Sequence, residues 1–97
     1  MARVADWIRT TPAEGYIGIS AAIPTIDVTH RLKDIKVPCI ALVGADDIAM
    51  PPAFSKILSQ EIPRCSMVEI PDAGHISNLE QPEAFNQALR KFYSEIA

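Results

Sequence analysis

Cysteine is nearly absent from this chain of 97 residues, which carries only Cys39 and Cys65. The two lack CxxC spacing and a His-rich companion, so neither a zinc site nor a disulfide framework is indicated and no metal is expected. Two reduced thiols in or near a core are the plain expectation. Clusters of Lys and Arg are missing as well. With a net charge of -3 and a sequence pI near 5.2, their absence argues against a nucleic-acid-binding face. The opening stretch MARVADWIRTTPAEG has no continuous apolar core, so it reads as neither a leader peptide nor a membrane span, and a cytoplasmic location is the expectation. Internal repeats and low-complexity segments are also lacking.

What is present describes a globular chain: 48 % of the residues are hydrophobic and 22 % charged. A chain of this length makes at most one small domain, burying somewhat over ~60 % of its unfolded surface. Its apolar content exceeds what so short a domain needs, which points to a partner or a larger parent.

Eight prolines divide the sequence. TPAE, from Thr11 to Glu14, has the form of a capping box with Pro12 at the first helical position, and predicts a helix from about Pro12 to Ile23. Tyr16, Ile19 and Ile23 recur on one face of it, while Gly15 and Gly18 would permit close approach by another element. Asp27 can cap a second short helix in which Val28, Leu32 and Ile35 share a face, ending near Lys36. CIALV, residues 39 to 43, is an unalternated apolar run of strand length, as a strand buried on both faces of a parallel sheet would show. Residues 52 to 62 return to helical period through Phe54, Ile57, Leu58 and Ile62, and SMVEI forms a second short strand before Pro71. From Pro82 to Ile96 the stripe Phe85, Ala88, Leu89, Phe92, Ile96 predicts the surest helix, with Glu80 and Glu83 at its positive end and Arg90 and Lys91 nearer the negative one. The order is helix, helix, strand, helix, strand, helix, with a right-handed parallel crossover at its centre.

Both strands end alike, in an apolar run followed by a turn bearing a polar residue: VGADD after the first, PDAGH after the second. In open parallel sheets that edge is where sites are built, so Asp47 and His75 are expected on neighbouring loops at the same side. A carboxylate beside a histidine suits general-base catalysis, because it fixes the imidazole tautomer and stabilises the imidazolium. The plainer alternatives are a loop histidine and an Asp-Asp pair that merely makes a turn. His30 falls on a short polar helix and is expected in solvent, while Ser77 and Asn78 are expected to shape their loop.

IKVPCIALVGADDIAMPP followed by VEIPDAGHISNLEQPEAFNQALRKF resembles the carboxyl-terminal part of an α/β-hydrolase. In that family G-x-x-D after one strand supplies the triad acid and G-H after the last strand supplies the base. The resemblance thereby implies Asp47 as acid and His75 as base, and no cofactor. The upstream TPAEGYIGISAAIPTIDVTHRLKDI is similar to the end of the cap and the lead-in helix of the 3-oxoadipate enol-lactonase branch. Residues 1–36 are accordingly expected to be cap-derived helices and residues 37–97 the carboxyl-terminal core segment of an α/β fold with parallel strands. Under such a cap Trp7 and Tyr16 could line a substrate cavity, though aromatic residues on an amphipathic helix are more often core.

The departure from the family is equally definite. Its serine nucleophile sits in a G-x-S-x-G elbow upstream of the acid and base. These 97 residues contain no such elbow, since GYIGIS has the wrong spacing and reads as helix. Two classes of function follow. One is a hydrolase of carboxylic esters or enol-lactones, to which the chain gives acid and base while an amino-terminal half gives the serine. The other is a non-catalytic, self-associating α/β module. In either case a homo-oligomer, or pairing with that missing half, is expected, with a small ester or lactone as the substrate of the intact family.

Overall fold

The computed structural model describes residues 2–96. They divide into two compact units, one running through His30 and the other from Arg31 onward.

The first unit is helical. α1 spans Ala2–Thr10 and α2 spans Ala13–Ala22, followed by a 3-10 turn at Ile23–Thr25. α1 was not anticipated, although Val4, Trp7 and Ile8 fall at i, i+3 and i+4. Arg9 in its last turn pairs with Asp6. Its terminal carbonyls are taken up by hydroxyls: Thr10 Oγ1 donates to Asp6 O at 2.8 Å and Thr11 Oγ1 to Trp7 O at 2.8 Å. That second bond corrects the expected capping box. The Thr11 hydroxyl is spent backwards on α1, and α2 starts behind Pro12 with no side-chain cap. Pro12 (φ -58°) suits a position that needs no N–H, and Glu14 in the first turn complements the helix dipole. Pro24 then forces the tighter 3-10 ending. Gly15 and Gly18 do not mark a close approach: a Cβ on either would meet nothing within 4 Å.

Next in the sequence comes a 3-10 helix, Thr29–Asp34, shorter and tighter than the predicted helix. Asp27 does cap it, with the Thr29 N–H donating to Asp27 Oδ1 at 3.0 Å.

The second unit is a strand-helix-strand crossover with a terminal helix. β1 (Cys39–Gly44) and β2 (Cys65–Ile70) are parallel and in register from Cys39↔Cys65 to Gly44↔Ile70. The joining helix α3, Pro52–Glu61, packs on both strands. A single turn of helix, α4 (Ser77–Glu80), leads to α5 (Pro82–Ile96), which packs on α4 and β2. Ala41, Val43, Ile62, Ile70 and Ala73 form the buried core. β1 is not equally enclosed on both faces: Ala41 and Val43 are buried, while Ile40 and Leu42 are only half-buried. On that less enclosed face Ile40, Val68, Ala88 and Phe92 line a cavity of about 340 Å³. Among the described residues no helix is long and apolar enough to cross a membrane.

Candidate active site

Gly44 ends β1 and makes the site possible. The chain after β2 comes so close that a Cβ on Gly44 would overlap the carbonyl oxygens of Ala73 and Gly74. With only a hydrogen there, the two loops lace together: Ala45 N–H donates to Ile70 O at 2.9 Å and Asp46 N–H to Ala73 O at 2.9 Å. Asp47 N–H turns back to Gly44 O at 3.1 Å, closing the turn that carries the acid.

The second loop is held from its other side as well. Asp72 adopts a left-handed conformation (φ 54°), which Asp tolerates better than most residues. Its carbonyl accepts from Gln81 Nε2 at 3.2 Å, and Gly74 N–H donates to Glu80 Oε2 at 2.7 Å. Glu80 was expected to serve the dipole of the last helix; it stands instead on α4, on the N–H of the residue before His75. Glu80→Ala should release that N–H at a cost of about 1 kcal/mol in local stability, read as roughly fivefold faster amide exchange at Gly74, while Glu80→Gln keeps an acceptor and most of the protection.

Between these loops Asp47 Oδ2 lies 2.9 Å from His75 Nδ1. The partner is Asp47 and not Asp46, which is exposed and contributes its backbone N–H. The carboxylate is buried (side chain 5 % exposed) and the imidazole is open (60 %). Asp47 Oδ1 meanwhile accepts from Met50 N–H at 2.9 Å. One oxygen of Asp47 thus shapes the turn and the other meets the histidine. The Met50 N–H first, and the His75 hydrogen bond and charge after it, hold the Asp47 carboxyl below its ordinary value against the opposing effect of burial. A carboxylate only accepts, so Nδ1 carries the proton, and in the neutral tautomer the lone pair is on Nε2.

The depressed value has a sign. Asp47 stabilises the fold in full above its unfolded value near 3.8, and that contribution is lost as pH falls through the lower folded value. Urea midpoints should therefore fall as pH is lowered through this range, and Asp47→Asn should flatten that slope.

Trp7 and Tyr16 lie on α1 and α2 of the first unit, 53 % and 61 % exposed. His30 is exposed on its 3-10 helix. Ser77 is buried at the head of α4, where its carbonyl accepts from Gln81 N–H at 2.9 Å, and Asn78 is exposed. Among the described residues no group of three or more His, Cys, Asp or Glu side chains could hold a metal ion.

The profile of the alpha/beta hydrolase family matches residues 2–88. The chain belongs to that family. Among its relatives, 3-oxoadipate enol-lactonase 1 of Acinetobacter baylyi is 35 % identical over 86 residues, covering 89 % of this chain and 32 % of the enzyme. The crystal structure of the enol-lactonase from Burkholderia xenovorans LB400 superposes with a TM-score of 0.90 at 35 % identity, over 96 % of this chain and 35 % of that one. A thermophilic esterase from Thermogutta terrifontis gives a TM-score of 0.70 at 37 % identity, over 72 % of this chain and 26 % of the esterase. The alpha/beta hydrolase chain thus spans roughly a third or less of the length of these relatives. The likeness to the Burkholderia enol-lactonase extends over 96 % of the chain, the parallel pair β1–β2 among it.

Proposed function

We propose that this chain supplies the acid and base of a cytoplasmic hydrolase of carboxylic esters or enol-lactones. The contact between buried Asp47 and open His75 carries the reading, with Nδ1 engaged and Nε2 left as the base. His75 Nε2 takes the proton of a serine hydroxyl as that oxygen attacks the ester carbonyl, Asp47 stabilises the imidazolium, and His75 then returns the proton to the leaving alkoxide or enolate. The serine and the oxyanion N–H of the residue after it come from a G-x-S-x-G segment outside these residues, whose sheet continues this chain's along β1, and the second oxyanion N–H from another loop of that part. The enol-lactonase names of two relatives support the lactone class, and the esterase supports the wider ester class. Trp7 and Tyr16 belong to the proposal as cavity-lining residues. Exposed apolar residues such as Ile48, Ile57 and Val37 favour association of some kind, with a second copy of the chain as the alternative partner.

The test is an activated aryl ester offered to two preparations. The chain by itself should give no turnover above buffer, because no oriented hydroxyl or oxyanion donor accompanies the base. The chain grafted in place of the segment it matches in the Acinetobacter enol-lactonase should turn over. Turnover by the isolated chain that disappears in His75→Ala would place the nucleophile within these 97 residues and overturn the division of labour.

A further inference from the structure

Cys39 and Cys65 open β1 and β2, at the opposite strand ends from Asp47 and His75, and are direct register partners in the ladder. Register partners on adjacent strands stand about 4.8 Å apart and project from the same face. That separation lies within the ~4.4–6.8 Å over which Cα atoms can be bridged by a disulfide. Both thiols are free and half-buried. Both line one shallow cavity of about 330 Å³, together with Pro38, Pro63 and Arg64. Burial first, and the neighbouring Cys39 second, push the Cys65 thiol above its ordinary value. Each S–H donates to a nearby carbonyl, Cys39 to Val37 O and Cys65 to Ser66 O, both at 3.4 Å.

We propose that Cys39 and Cys65 form a reversible dithiol–disulfide couple, a redox-sensitive staple across the starts of the two strands. The oxidant is a small-molecule disulfide. One of the two thiolates attacks one of its sulfurs, expels one thiolate and leaves a mixed disulfide; the other cysteine, as thiolate, then attacks the protein sulfur of that mixed disulfide and expels the second thiolate. Two protein thiols and one small disulfide become one protein disulfide and two small thiols, with two electrons passed to the oxidant. The bond is labile by construction. Side chains spaced at the strand separation stand wider than the ~3.8 Å between Cβ atoms of a relaxed disulfide, so the strand ends must draw together and the bond is easily reduced. Ends can move where middles cannot, since each cysteine adjoins a connecting segment containing a proline.

Native chain is treated with excess oxidised glutathione and read by intact mass, free-thiol count and non-reducing gel. The expected product is a monomeric chain about 2 Da lighter, with both thiols lost and no lasting adduct, reversed by dithiothreitol and melting on the order of 5 °C higher. Cys39→Ser and Cys65→Ser should each stop at the glutathione adduct. Closure should run at least tenfold faster in native buffer than in denaturing urea. A wild-type chain that also stops at adducts, links between chains, or closes equally fast in urea would overturn the proposal.

Discussion

His75→Ala in the grafted hydrolase is expected to lower kcat by about 10⁶-fold, and Asp47→Asn by about 10⁴-fold. On the proposed mechanism the two differ because they remove different functions. Alanine would remove the group proposed to take and return the proton, and without it the serine is a neutral alcohol at working pH. Asparagine keeps shape and size at Asp47 but offers an N–H toward Nδ1. The ring then carries its proton on Nε2, where it can no longer accept. Burial sharpens the second effect, for the Asp47 side chain is only 5 % exposed and water cannot readily take its place. Steady-state rates with the aryl ester separate the outcomes. Equal rates for the native graft and for His75→Ala would mean that this histidine is not the base.

Gly44→Ala should destabilise the second unit by about 3 kcal/mol or more, seen as a drop in the urea midpoint. The new methyl group would run into the carbonyl oxygens of Ala73 and Gly74, which are backbone atoms with no rotamer to retreat into. To relieve the overlap the loops must part. Parting costs the bonds from Ala45 to Ile70 and from Asp46 to Ala73, and carries His75 away from Asp47. Gly15→Ala and Gly18→Ala are the controls. Each lies within α2 with open space around a would-be Cβ, so each should leave stability unchanged or raise it by up to about 1 kcal/mol. A mild Gly44→Ala variant would show that the crossing of the loops is looser than its geometry indicates.

Where the sequence was legible, one physical signal acted alone. The unalternated run at Cys39–Gly44, the stripe along Pro82–Ile96 and the prolines at 38, 52, 63, 71 and 82 each bound an element that no neighbour overrides. The meeting of Asp47 and His75 followed from parallel strands presenting their carboxyl ends together. Where groups had competing partners, reading was harder. Thr11 could cap the helix after it or serve the helix before it, and spacing within TPAE does not reveal the open carbonyl of Trp7. Glu80 sits where a helix-dipole role looks natural, yet its nearest bare donor is Gly74, six residues back across a turn. Nothing local marks the close approach at Gly44, because it depends on the carbonyls of Ala73 and Gly74, far off in the chain. The half-open face of β1 was hidden for a related reason: an apolar run records what a strand is suited to, and the cover over Ile40 depends on where α5 comes to rest.

The ladder between β1 and β2 has a further consequence, for solvent exchange. Cys39 N–H bonds Arg64 O at 2.8 Å and Ala45 N–H bonds Ile70 O, so the odd-numbered residues of β1 donate toward β2. The even-numbered amides, at Ile40, Leu42 and Gly44, point the other way, to an edge that no strand occupies among the described residues. Deuterium should enter β1 in a comb, fast at even positions and slow at odd ones. When another strand docks there the fast teeth should slow first, so that three amides mark the moment the edge is filled.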